Sequence, residues 1–193
     1  LNIQCHPITK VSWSTLCLFC LTLLLNACQL LNISSARVAL GENVFYQLQA
    51  VPSEFNGLIS LQKLTVTRED ETHQLLVQTE LQNQQINMVG FSQSGLQLFQ
   101  LSWQQGGALE LSTNIMLPDI PAEQLLAYYQ LSNWPVAKVK KGLQGIQLKN
   151  NDKNNSREFL IGQQLIFTVQ QNNQQSLMIH YRDKYQITVE NID

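Results

Sequence analysis

The side chains able to carry chemistry are few in this chain, and their spacing argues against most of it. Gly90-Phe-Ser92-Gln-Ser94-Gly95 comes within one residue of the Gly-x-Ser-x-Gly turn that presents a hydrolase serine. The extra residue breaks the spacing, and alternating apolar residues on both sides predict a hairpin there, not a strand-to-helix turn. His73 and His180 each lack a second ligand at helical or turn spacing, so neither reads as part of a metal site. Glu69-Asp70-Glu71 reads as a solvated hairpin tip and not as a working carboxylate pair. The sequence has no Gly-rich phosphate loop. The chain is therefore not expected to be an enzyme, and no metal or dissociable cofactor is expected.

One thiol stands apart. Leu25-Asn-Ala-Cys28 closes the apolar run Thr15–Leu25, which is about as long as a signal-peptide core and shorter than the roughly 20 residues of a spanning helix. The junction resembles a bacterial lipobox. That resemblance implies a diacylglycerol on the Cys28 sulfur, cleavage before it and acylation of the new amino terminus. Residues 1–27 are then a lipoprotein signal peptide, and the covalent lipid on Cys28 takes the place of a cofactor. An ordinary secretory signal and an uncleaved anchor are the alternatives; ordinary cleavage after Ala27 would place bulky Leu25 where a small residue is wanted. Cys5, Cys17 and Cys20 leave with the signal, so the exported protein has no disulfide and depends on a packed core. By the sorting logic of such signals, Gln29, in place of a retaining Asp, implies the periplasmic face of the outer membrane. Residues 28–41 read as the lipid anchor and a short tether, or else as part of a first strand. Residues 42–193 are long enough for one domain.

Charged residues make up 13% of the chain, about half the usual share, and glutamine supplies many polar positions instead. The formal charge is −2, which does not suit a nucleic-acid partner. Lys138, Lys140, Lys141 and Lys149 form a locally basic stretch, best read as a solvated face.

Period-two alternation supplies most of the elements. It runs through Leu58–Val66, Leu75–Leu81, Ile86–Phe91, Leu96–Trp103 and Ala108–Met116, with polar or Gly-bearing turns between them. The pattern then changes to helical spacing over Pro121–Leu131, with Pro121 at the expected first helical position and Glu123 in the first turn. Val136–Lys141 reads as a second short helix stopped at Gly142. Alternation returns in Gly145–Lys149, Arg157–Ile161, Leu165–Gln170, Leu177–Arg182 and Tyr185–Glu190. About ten strands interrupted once by helices predict a mainly β, α+β domain: a single curved sheet whose buried face the helices cover.

Two stretches carry a further resemblance. Ile86–Gly106 resembles a hairpin of the outer-membrane lipoprotein receptor of the Lol system. Leu117–Leu143, with Gln130-Leu131-Ser-Asn-Trp134-Pro135 at its heart, resembles an uncharacterised family of small bacterial outer-membrane lipoproteins. Arg157 at the start of a strand and Tyr185 also suit that layout, and members are often associated with gene clusters for lipid-like or polyene products. The resemblance implies an open antiparallel half-barrel capped by helices over residues 42–193, with an apolar cavity for acyl chains. It also implies a protruding loop tip bearing a hydrophobic residue. Here the tip Ser92–Gly95 is polar, and Leu96 is either part of it or already in the strand.

Phe99, Leu101, Trp103, Leu125, Leu126, Tyr129 and Trp134 are the candidate cavity lining, with plain core packing as the alternative for each. The resulting expectation is a monomeric outer-membrane lipoprotein, held to the membrane by its anchor. It would bind or hand over acyl, polyene or lipoprotein cargo during envelope assembly. The alternative is a non-catalytic accessory lipoprotein with a filled core and another envelope protein as partner.

Overall fold

Strict alternation of apolar and polar residues forces one face of each strand inward, and the fold is organised around that face. The computed structural model describes residues 36–113, 120–172 and 174–192; Cys28 and the signal-like segment lie outside them. The first meander comprises β3 (Leu58–Arg68), β4 (Glu71–Gln82), β5 (Gln85–Phe91), β6 (Gln97–Gln104) and β7 (Leu109–Thr113). The second comprises β9 (Gln147–Asn151), β10 (Ser156–Ile161), β11 (Gln164–Gln171), β12 (Gln175–His180) and β13 (Tyr185–Asn191). Hairpin turns join each meander. Asn83 and Gln84, both at positive φ, make the two-residue turn between β4 and β5, whose twist matches the flanking strands.

The two meanders form one open antiparallel sheet of ten strands, in the order β7-β6-β5-β4-β3-β13-β12-β11-β10-β9. Their seam is β3 against β13, with Leu64 opposite Val189 and Val66 opposite Ile187. All four side chains alternate onto the inward face with Leu75, Val77, Met88 and Phe99, so the register that buries one strand buries its neighbours.

Two expectations are corrected. The sheet is not single: β1 (Arg37–Gly41), β2 (Val44–Gln47) and β8 (Leu143–Gln144) form a second, three-stranded sheet. The tether therefore does not extend to residue 41. Val38 and Leu40 are buried and pull β1 into the domain.

Helix α1 (Ala122–Asn133) begins directly after Pro121, which stays extended at the N-cap instead of occupying the first turn. The helix ends at Trp134, held extended (ψ 151°) because the ring of Pro135 disfavours helical geometry in the residue before it. Helix α2 (Val136–Gly142) follows. Gly142, the last residue of this helix, is glycine for a reason of space: a Cβ there would lie 2.4 Å from the Gln47 carbonyl oxygen and 2.6 Å from the Tyr46 ring.

Helix α1 is not a simple amphipathic cap. Leu125, Leu126, Ala127, Tyr128, Gln130 and Leu131 are all buried, so apolar surroundings reach most of its circumference. It packs against β1, β6 and β7, and Tyr128 meets Phe167 of β11 edge-on at 6.2 Å. The buried residues of both sheets and the helix form one continuous core.

Candidate functional site

The extended segment between β2 and β3 is fixed by the residues of the Gln-Leu-x-x-Trp-Pro stretch. The fully buried Gln130 reads both polar groups of one backbone residue. Gln49 N–H donates to Gln130 Oε1 at 2.8 Å, and Gln130 Nε2 donates to the Gln49 carbonyl at 3.1 Å. Trp134 Nε1 donates to the same carbonyl at 3.2 Å, and Lys138 Nζ donates to the Ala50 carbonyl at 3.1 Å. The Trp134 ring stacks on Phe55 at 5.4 Å and meets Tyr129 edge-on at 5.6 Å. Arg157, facing inward from β10, donates from Nη1 to the Leu131 carbonyl at 2.6 Å. A cation thus meets the negative end of the helix, where carbonyls lack partners.

So held, α1 leaves a cavity of about 150 Å³ between itself and the middle of the large sheet. Leu64, Val77, Met88, Met178, Ile187 and Val189 contribute from the sheet; Leu125, Tyr128, Tyr129, Ser132 and Asn133 contribute from the helix. Glutamine and asparagine from the β11–β12 turn and the end of β13, Gln62 of β3 and Ser176 of β12 complete the lining.

Of the seven expected lining residues, Leu125 and Tyr129 line this cavity. Phe99, Leu101, Trp103, Leu126 and Trp134 do not, and their placement in the wall is corrected to the packed core. Phe99 fills the space above Gly90, where a Cβ would come within 2.1 Å of its ring. Trp134 is spent on Phe55 and Gln49. The wall residues that sequence reading missed, such as Leu64, Val77 and Met178, each sit in an alternating strand. Period two marks them as inward but cannot say which inward residues face a gap.

The near-hydrolase segment is a turn. Ser92 Oγ accepts from the Leu96 N–H at 3.0 Å and lies 2.8 Å from Ser94 Oγ, which ties the hydroxyl to the hairpin. Leu96 precedes β6 and is 56% exposed at the tip. His73 lies 3.7 Å from Glu71 at the neighbouring turn. Among the described residues no three His, Cys, Asp or Glu side chains group as metal ligands would. In the basic stretch, Lys149 is 3.8 Å from Glu158, and Lys138 is engaged with Ala50.

A titratable group lies deep in the core. Phe159, Phe167, His180 and Tyr185 stack across four adjacent strands, with His180 4.8 Å from Tyr185 and 5.4 Å from Phe167. His180 Nδ1 accepts from the Asp183 N–H at 3.2 Å, and its Nε2 has no hydrogen-bond partner among the described residues. Burial holds its pKa below the usual 6.5; Arg182 and Arg68 push the same way, while Asp183 opposes them. The neutral ring is therefore the folded form. The unfolded chain takes up a proton near pH 6.5 that the folded chain resists, so stability is full above that pH and falls as the pH drops below it. Urea unfolding midpoints measured between pH 8 and pH 5 should show this decline in the wild type and a flatter profile in His180→Phe. Equal slopes in the two proteins would mean that another group carries the effect. Tyr185 donates to or accepts from Tyr128 across 2.5 Å, which ties the ladder to α1.

Residues 60–193 match a family model described as "Protein of unknown function (DUF3261)". No curated protein matches the sequence.

Proposed function

The chain belongs to the DUF3261 family, and on that premise we propose that it is an outer-membrane lipoprotein whose domain holds one apolar chain beneath α1. In this reading the open ten-stranded sheet acts as a half-barrel of the Lol-receptor kind, and Cys28 carries the anchor. The cavity between α1 and the sheet is the observation that supports it most. A space of about 150 Å³ matches an apolar cavity that takes one benzene-sized guest. It suits a short chain or one segment of a longer one, not the three chains of a mature lipoprotein together. Leu96 at the hairpin tip gives the domain an exposed apolar residue to touch a membrane during transfer.

Native mass spectrometry of the protein purified from envelopes tests this reading. A bound amphiphile is expected on the wild type and absent from Val77→Phe, whose added ring fills the cavity. No adduct on a folded wild-type protein would sink the carrier reading. For the anchor, Cys28→Ala is expected to abolish labelling by an alkyne fatty acid and to let the precursor accumulate; normal labelling would refute it.

The accessory-lipoprotein reading keeps one observation in its favour. Ile59, Leu61 and Ile192 are exposed near one another, with Ile192 N–H bonded to the Leu61 carbonyl at 2.9 Å. An apolar group of that kind suits a protein partner.

A further inference from the structure

We propose that the ligand of the cavity is a neutral single-chain amphiphile, its head bearing hydroxyl, ester or amide groups, and not a fatty acid or a phospholipid. The inference rests on reading the cavity as a ligand site, and it comes from what the lining lacks. The apolar part of the wall, represented by Leu64, Val77, Met88 and Ile187, suits a hydrocarbon chain. The polar part is made by amides: Gln62, Asn133, Gln171, Asn172 and Asn191 all line it. None of the described lining residues carries a formal charge.

Each side-chain amide offers both donors and an acceptor, which complements a head that likewise does both. A carboxylate or phosphate asks for something different. Desolvated without Arg or Lys to supply charge-assisted bonds, it binds much more weakly than a neutral head. The ion pair on these same strands, Lys63 with Glu190, does not help. Val189 and Asn191 alternate into the cavity, so Glu190 and its partner project from the opposite face. The tyrosines add no charge either, because burial raises the hydroxyls of Tyr128 and Tyr129 to about 12.

Part of the amide capacity is already committed and part is left. Gln62 Nε2 donates to Asn191 Oδ1 at 2.9 Å, and Asn133 Nδ2 donates to the Tyr129 carbonyl at 2.8 Å. The carbonyl oxygens of Gln62 and Asn133 remain to accept from a hydroxyl or amide N–H, which an ionised carboxylate cannot provide.

The test uses the full chain in phosphatidylcholine vesicles and photoreactive probes that share one diazirine-bearing alkyl chain. Their heads are a monoacylglycerol, a fatty acid and a lysophosphatidate. After irradiation, labelled peptides are identified by mass spectrometry. The monoacylglycerol should label the peptides holding Met88, Tyr129 or Met178 at least about tenfold more than either acid does. Gln171→Arg should raise fatty-acid labelling of those peptides, and Val77→Phe should remove labelling by every probe. Equal labelling by the acids would overturn the neutral-head inference and leave the carrier reading standing. Should no probe label those peptides above the Val77→Phe background, both would fall together.

Discussion

Trp134→Ala is expected to cost about 3–5 kcal/mol, the range for removing a large buried aromatic side chain. The side chain is fully buried, and its removal empties the space between Phe55 and Tyr129. The same change deletes the indole donor to Gln49, although Gln130 still reaches that carbonyl. Against a total stability of about 5–15 kcal/mol, this is a large fraction. Trp134→Phe keeps most of the stack and loses the hydrogen bond, so it should cost only about 1 kcal/mol. Chemical denaturation of both variants separates the two contributions. An alanine variant within about 1 kcal/mol of the wild type would mean that the residue does not hold the segment between β2 and β3.

Leu126→Lys is expected to unfold the domain outright. Leu126 is fully buried and does not line the cavity, so the new ammonium would meet neither solvent nor a counter-charge. Burying it charged costs far more than the fold can offset, and neutralising it still costs several kcal/mol. The adjacent residue behaves differently. Leu125 faces the cavity, and Leu125→Phe can place part of its added volume in existing space. That variant should keep wild-type circular dichroism and lose the amphiphile proposed to bind there. A folded Leu126→Lys protein would contradict the placement of Leu126 in the core.

This pair also shows where sequence reading stopped. Leu125 and Leu126 differ by one residue, which is about 100° of helix rotation. Core and cavity draw on the same residue types, so composition could not separate them. The hairpins of each meander were legible because alternation and polar turns are local signals. The seam between β3 and β13 was not, since nothing near Leu64 names Val189 as its partner. The small sheet escaped for a related reason: β8 has two residues and carries no period at all. Gln130 and Trp134 stood out as a motif, yet their work depends on Gln49, more than eighty residues upstream in the case of Trp134. Arg157 was visible as the start of a strand, but its carbonyl partner in α1 was not.

The β3–β13 seam also governs the order in which this sheet can be made. Val66 waits about 120 residues for Ile187, so a chain emerging amino terminus first completes β3–β7 long before the partner of β3 exists. Loop closure across that span is slow compared with hairpin formation. In the interval β3 is a free edge, and its outward side chains include Ile59 and Leu61, a combination that invites strand addition from another chain. A polypeptide delivered through a narrow channel would have to stay unpaired at this edge until β13 had passed. Any truncation that removes residues 185–191 should therefore leave a half-sheet that self-associates instead of a smaller, stable domain.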